Sequence, residues 1–534
     1  MLSGATDLLA FVVVWFTLVV PDQLTSLTAS GLLRLPAEGL LIVAVGLVLP
    51  TRAARALAAL VGVLIGLQAL DKVADLGFLA ALGRPLQLRT DWSYVGSGVG
   101  LLQESLGQDW GLAAVVGAAL LVLALLAGST WSLSRLLRLA ARHRSTAGWT
   151  LTTLVAAWTL GAALGVQAAD PLVEPAPPAV LTEQQVVQEP ASADPFARTP
   201  AADLLTGLRG KDVLIAFVES YGRVAVQDRL IAPRVGAVLD AGTESLATAG
   251  FTARSAFLTS PTFGGISWLA HSTLQSGLWI DSQQRYDQLV GTDRFTLCDA
   301  FRRAGWRTVD DVPANTADWP EGRSFYHYDK VYDERNVGYA GPSFSYATVP
   351  DQYTLAALRR NELARPHRAA VMAEIDLVSS HGPWAPLPQQ VGWDQLGDGS
   401  VFRKMAAEGS SPEALLRRPA RVKAAYGQSI AYSLGALISF VQTFPDPDLV
   451  LVLLGDHQPA TLVSGAGADH DVPITVVAHD RLVVDRLASW GWQPGMRPGA
   501  AAPVWRMDTF RDRFLTTFGP LPGTGSRRVV AHAR

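Results

Sequence analysis

The sequence is poor in cysteine, poor in charge and free of any long basic tract. Cys298 is the only cysteine among 534 residues. No intramolecular disulfide can form, so any globular part must be held by its own core, and the lone thiol reads as a buried apolar residue. Charged residues make up 17% of the chain and the mean hydropathy is +0.22. Both values are unusual for a soluble protein and point to membrane segments fused to something globular. The net charge is −3, and no run of lysine and arginine is long enough to track a nucleic-acid backbone, so no nucleic-acid partner is expected. No internal repeat is visible. The length sets a prior of about three units.

What is present begins with apolar runs. Asp7–Val20, Gly39–Leu49, Ala54–Leu70, Leu112–Gly128 and Trp149–Val166 carry few or no charges. Crossing a hydrocarbon core of ~30 Å takes ~20 helical residues, so the shorter runs must borrow neighbours or tilt. Five spans is the expectation, with four or six also compatible. The first run lacks a basic segment ahead of it and further runs follow, which disfavours a cleaved signal peptide. No ionisable residue sits in the middle of any run, so the signature of a transport path is missing. Arg52 and Arg55 flank one connection, and Arg135, Arg138, Arg142 and Arg144 crowd another. The positive-inside bias places both in the cytoplasm and sends everything after Val166 outside. Arginine greatly outnumbers lysine, a bias associated with GC-rich bacterial genomes. The expected organisation is a transmembrane helical bundle over 1–167, a linker over 168–210 and an extracytoplasmic domain over 211–534. The linker is read from Val173-Glu174-Pro175-Ala176-Pro177-Pro178, where prolines break any helix.

From Lys211 the pattern alternates between strands and helices. Val213–Val218, Ala369–Leu377, Leu449–Leu454 and Val472–Val477 read as strands covered on both faces, separated by helical patterns such as Leu355–Leu363 and Tyr426–Phe444. The expected fold is an α/β sandwich with a mostly parallel sheet. In such sheets ligands sit beyond the carboxyl ends of strands. Three of these strands end on polar groups: Glu219-Ser220-Tyr221-Gly222, Ser379-Ser380-His381-Gly382-Pro383 and Gly455-Asp456-His457-Gln458-Pro459. Asp456 and His457 supply an oxygen and an imidazole nitrogen suited to zinc or manganese, with Glu219 as a third ligand. Glu219 as a capping acid and Asp456 as a turn residue are the plain alternatives. A nucleophile is expected in Thr259–Gly277, a Gly-rich stretch that turns helical. A hydroxyl there meets the positive end of the helix dipole and free N–H groups. The same hydroxyl also serves as an ordinary helix cap.

Together, Val-Glu-Ser-Tyr-Gly, Gly-Gly-Ile-Ser, Ser-His-Gly-Pro and Gly-Asp-His-Gln-Pro resemble the sulfatase-like branch of the alkaline phosphatase superfamily. The architecture is most similar to lipoteichoic acid synthases and related phosphoglycerol transferases, with phosphoethanolamine transferases close behind. The resemblance implies one divalent cation (manganese, zinc or magnesium) on Glu219, Ser267, Asp456 and His457. Ser267 matches the nucleophile, with Gly277 ten residues on; Thr262 is the second candidate. His381 matches the histidine that holds phosphate or protonates the leaving group, and His470 a later histidine near the phosphate. Trp319 and Arg323 resemble residues that grip a glycerol-phosphate head group, although each also fits a packing or surface ion-pair role. A sulfatase also needs Pro and Arg after its nucleophile, in a Cys/Ser-x-Pro-x-Arg run. Here the run is Ser267-Trp268-Leu269-Ala270-His271, so phosphoryl chemistry is preferred over sulfate ester hydrolysis. The implied partners are the membrane, an anionic or zwitterionic phospholipid donor, and a glycolipid or glycan acceptor. A phosphodiesterase hydrolase and an inactive envelope scaffold are the alternatives. The implied location is the bacterial cell membrane.

Overall fold

The computed structural model describes residues 2–19, 36–87, 91, 108–163, 194–411, 414–415 and 418–520. The chain divides into two compact units whose main boundary falls between Gln185 and Val186.

The first unit is helical: α1 (Leu2–Val19), α2 (Ala37–Val48), α3 (Thr51–Leu82), α4 (Gln108–Arg142) and α5 (Arg144–Ala163). Pro50 separates α2 from α3 because the residue before a proline is pushed out of the α region; Leu49 duly sits at φ −71°, ψ 148°. Thr51–Leu79 and Val115–Arg142 span 29 and 28 residues at mean hydropathy 1.9, long and apolar enough to cross a membrane. The apolar stretches Gly4–Val19 and Ala37–Val48 are shorter. Helices α3 and α4 meet through small residues: a Cβ on Gly62 would lie 2.5 Å from Thr130 Cα, and Ser129 Oγ donates to Gly62 O at 2.8 Å. Small side chains let backbones close up where burial of apolar surface gives no preference for one helix over lipid. Leu60, Leu120 and Leu123 point outward, each more than 60% exposed. The end of the fifth apolar run and most of the expected linker lie outside the described residues.

The second unit does bury its apolar side chains. The last part of the stretch read as linker belongs to it, since Leu204, Leu205 and Leu208 lie in its core. Those leucines are apolar anchors that the proline-rich composition nearby concealed. The sheet has nine strands: β1 (Asp212–Val218), β2 (Thr252–Thr259), β3 (Arg307–Asp311), β4 (Lys330–Tyr332), β5 (Val371–Leu377), β6 (Leu449–Gly455), β7 (Asp471–Ala478), β8 (Gln493–Pro494) and β9 (Val504–Arg506). Their order is β4-β3-β5-β1-β6-β7-β2-β8, with β9 beside β2.

The sheet is mixed, with both parallel and antiparallel pairings. Pairing is parallel from β4 through β6, but β7 runs antiparallel to both β6 and β2, and β8 antiparallel to β2. A parallel return requires a crossover, usually carried by a helix. The β6–β7 connection holds only a one-turn helix, Thr461–Ser464, and the chain returns along the neighbouring lane instead. As a result the carboxyl ends of β5, β1, β6 and β2 share one edge of the sheet with the amino end of β7.

Alternate strand residues serve two cores, as the period of two requires. On one face Val213, Ile215 and Phe217 join α7 (Ser267–Ser276) and α9 (Phe510–Phe518) through Leu269, Leu274, Phe510 and Phe514. On the other face Leu214, Ala216 and Val218 join α6 (Ala232–Thr248) and α8 (Pro419–Thr443) through Leu239, Tyr426, Ile430 and Leu434. Each such side chain stabilises the fold by about 1.5–3 kcal/mol relative to exposure. This two-sided burial fixes β1 and β6 side by side, in register from Asp212↔Leu449 to Val218↔Gly455.

Candidate metal and nucleophile site

At the end of β1, Glu219 N–H still pairs with Leu377 O of β5 at 3.0 Å. The chain then turns sharply because Ser220 takes φ +57°, a left-handed conformation that costs a non-glycine residue about 1–3 kcal/mol and clusters at functional sites. That turn aims Ser220 N–H at Asp456 Oδ1 (2.8 Å), which also accepts from His457 N–H (2.7 Å). Gly455 is needed at this approach, since a Cβ there would lie 2.0 Å from Tyr221 O. Three hydroxyls pin the backbones from behind. Ser380 Oγ donates to Glu219 O (2.6 Å), Ser260 Oγ to Asp456 O (2.5 Å) and Tyr426 OH to Ser220 O (2.8 Å).

Four side chains converge at this edge. His457 Nε2 lies 3.3 Å from Glu219 Oε1 and 3.4 Å from Asp456 Oδ2. Ser267 Oγ donates to Glu219 Oε2 at 3.0 Å and lies 3.3 Å from His457 Nε2. Two metal–ligand bonds of about 2.1 Å at a tetrahedral angle put their donor atoms about 3.4 Å apart, so the spacing suits a shared cation. The donor set of two carboxylates, an imidazole and a hydroxyl suits a divalent one. His457 Nδ1 is paired with Gln458 O at 2.8 Å, which turns Nε2 toward the carboxylates, as a carbonyl partner on the far ring nitrogen does at metal sites.

Glu219, Asp456 and His457 are 8%, 1% and 1% exposed, and their charges respond to one another. Burial pushes Asp456 up, the Glu219 carboxylate pushes further, and it reaches about 6. Burial alone would lower His457, but Asp456 and Glu219 raise it to about 9. Glu219 is held well below the usual carboxylate range, against its own burial, chiefly by His457. The cluster is thus arranged around positive charge.

Ser267 arrives on a strained turn. Gly264 and Ile266 have φ of +73° and +65°, and for a β-branched residue such as Ile266 this is a true outlier. Helix α7 begins at Ser267 and closes at Gly277, φ +66°, whose N–H bonds Thr273 O, as a left-handed cap does. The positive end of the helix therefore faces the Ser267 hydroxyl.

The other sequence candidates stand further out. Thr262 Oγ1 donates to Gly265 O at 2.6 Å and shapes the turn ahead of Ser267. His381 follows β5, stacks on Tyr346 with centroids 3.6 Å apart and places Nδ1 2.6 Å from Gly382 O. It is near enough for its charge to lower Glu219. His470 precedes β7, packs on Phe263 at 5.3 Å and is lowered by burial. Trp319 is half-buried against Tyr326, 5.5 Å between centroids, and Arg323 is exposed on the one-turn helix Glu321–Ser324. Among the described residues, the group of metal-ligand side chains here is Glu219, Asp456 and His457, without His470. The supporting roles of Ser220 and Ser380, which lie in the quoted strand-end motifs, and of Ser260, which lies in the Thr259–Gly277 stretch, depend on contacts across the sheet that the sequence does not show.

Several solved structures are similar to this chain. Lipoteichoic acid synthase LtaP of Listeria monocytogenes is 14% identical at TM-score 0.39, over 60% of this chain and 74% of that one. Phosphoethanolamine transferase A of Neisseria meningitidis, an integral membrane protein, is 12% identical at TM-score 0.40, over 96% and 95%. The Streptococcus pyogenes phosphoglycerol transferase GacH, solved with sn-glycerol-1-phosphate, is 10% identical at TM-score 0.33, over 60% and 86%. No family model and no curated protein matches. By name these neighbours are a lipoteichoic acid synthase, a phosphoethanolamine transferase and a phosphoglycerol transferase, the kinds that the motifs resemble. At TM-scores below 0.5 they say nothing about chemistry, which has to come from this chain's own residues.

Proposed function

We propose that this chain is a membrane-anchored, metal-dependent phosphoryl-group transferase acting on phospholipid head groups through a phospho-serine on Ser267. One observation carries the reading: Ser267 Oγ lies 3.0 Å from Glu219 Oε2 and 3.3 Å from His457 Nε2, at the amino end of α7. Glu219, Asp456, His457 and Ser267 would hold the cation, which when bound lowers the pKa of a coordinated hydroxyl and offsets phosphate charge. Ser267 Oγ attacks the donor phosphorus, and the amino end of α7 stabilises the phosphate oxygens. His381 gives a proton to the departing alcohol, and Arg323, Trp319 and His470 hold the head group. An acceptor hydroxyl of a glycolipid or glycan then displaces Ser267. If water takes that role the same residues make a phosphodiesterase.

The anchor would be the unit holding α1–α5, read as five spans with the 211–534 region outside the cytoplasmic membrane. Outward-facing leucines on α3 and α4 support burial in lipid, and confinement to a surface favours encounter with a lipid donor. The test is to incubate the purified full-length protein with labelled phosphatidylglycerol or phosphatidylethanolamine and a divalent cation. Label is expected to appear on Ser267 and pass to an acceptor or water. Absence of labelled enzyme and of released head group with both lipids would remove the proposal.

A further inference from the structure

Beneath α7 lies a second group of acids and an imidazole that the proposed reaction does not use. His271 follows Ser267 by four residues, so both lie on one side of the helix. Glu374 and Asp376 alternate along β5 and face the same side of the sheet. His271 Nδ1 is 3.0 Å from Glu374 Oε1 and 3.4 Å from Asp376 Oδ1, and one donor atom from each of the three residues lies within 4.8 Å of the others. We propose that His271, Glu374 and Asp376 form a second divalent-cation site, distinct from the one on Glu219.

Three further observations point to a ligand. Asp376 Oδ1 is buried without a hydrogen-bond partner, and so is Asp310 Oδ2. Asp310 is only 2% exposed and pairs in parallel register with Glu374, so its carboxyl faces the same group. Three carboxyls thus share the face on which His271 packs, and burying uncompensated carboxylates is costly. Second, the ligands are braced as metal ligands usually are. The Phe217 ring stacks on His271 at 3.8 Å and 13°, while Glu374 Oε2 accepts from Tyr328 OH at 2.9 Å and from Gln275 Nε2. Third, the separations of 3.0 and 3.4 Å lie close to the about 3.4 Å edge of a tetrahedral shell with bonds of about 2.1 Å. Two carboxylate oxygens with one imidazole select zinc or manganese over calcium, which takes six to eight oxygens. His271 stands about 6 Å along the α7 axis from Ser267, so a cation held there would add positive charge behind the proposed nucleophile. Binding at this site does not depend on the lipid chemistry or on Glu219.

The test is stoichiometry on the full-length protein in detergent, stripped with chelator, reloaded with manganese or zinc chloride, and gel-filtered before metal analysis. Wild type is expected to hold two equivalents, and Glu219→Gln and the Glu374→Gln, Asp376→Asn double variant one each. His271→Ala, also expected to hold one, covers the case in which the double variant fails to fold. A wild-type ratio of one that Glu219→Gln abolishes overturns the second site and leaves the first intact. A ratio of one that survives Glu219→Gln but is lost in His271→Ala supports the second site and removes the first.

Discussion

Glu219, Asp456 and His457 stand at strand ends, Glu219 directly before the left-handed Ser220. His271, Glu374 and Asp376 stand on regular structure, a helix face over a strand face. Both groups offer two carboxylates and one imidazole with donor atoms within 4.8 Å. Their hydroxyl neighbours differ. Beside the first is Ser267, on a helix amino end; beside the second is Tyr328, whose phenol burial pushes well above its usual range and so keeps protonated. Donor type therefore does not make a reactive site. In the proposed reading the difference lies in the hydroxyl, which beside the first group is Ser267 at a helix amino end.

The largest effect is expected from Ser267→Ala. Turnover and enzyme labelling fall by about 10³-fold or more, as for other nucleophiles, while the metal ratio stays at the wild-type value. Full activity in this variant, together with a dead Thr262→Ala, would move the chemistry to the other hydroxyl and break the contrast. Gly455→Ala comes next. Its Cβ would meet Tyr221 O at 2.0 Å, and overpacking against backbone costs about 1–3 kcal/mol or more. The melting temperature and Glu219-dependent metal binding should both fall, and an unchanged metal ratio would show that the strand-end geometry is not demanding. Thr262→Ala removes only the bond to Gly265 O, worth about 1 kcal/mol, so kcat should drop by less than about tenfold with labelling retained.

The smallest effect concerns Asp351, whose carboxyl accepts from Ser379 N–H in the loop that leads from β5 to His381. Burial raises it to about 6, against hydrogen bonds from Ser433 and Ser379 that lower it. A folded value above the ordinary 3.8 means the native state keeps its proton longer, so this contribution to stability declines as pH rises from about 4 to about 6. Asp351→Asn should flatten the melting temperature across that window. Superimposable curves for variant and wild type would exclude Asp351 as the titrating group.

Much of the second unit was legible because its inner strands are covered on both faces and so read as apolar runs. β1, β5, β6 and β7 lie within two residues of the stretches picked from sequence. β2 was not legible, because Thr252, Arg254 and Thr259 interrupt its pattern where the strand is only partly covered. The direction of β7 was not legible either, since pairing direction is settled by how a connection can return and not by the strand's own residues. The strand-end candidates were found because the polar residues directly follow an apolar run. Glu374 and Asp376 were passed over for the opposite reason: they lie inside such a run, where two acids at alternating positions were the available signal. In the first unit, the run lengths leave the number of spans open, and among the described residues two helices reach spanning length on composition.

By itself the sequence determined which segments must leave water, that no disulfide holds the protein, and which side chains can bind a cation or attack phosphorus. Only the tertiary structure decided which of them meet. Glu219 and the Asp456-His457 pair are far apart along the chain and become neighbours because β1 and β6 pair in parallel with Val218 opposite Gly455. A slip of one residue would turn every side chain to the other face. Hydrogen-bond register between strands, a property no single segment carries, is what brings the acids, the imidazole and Ser267 together.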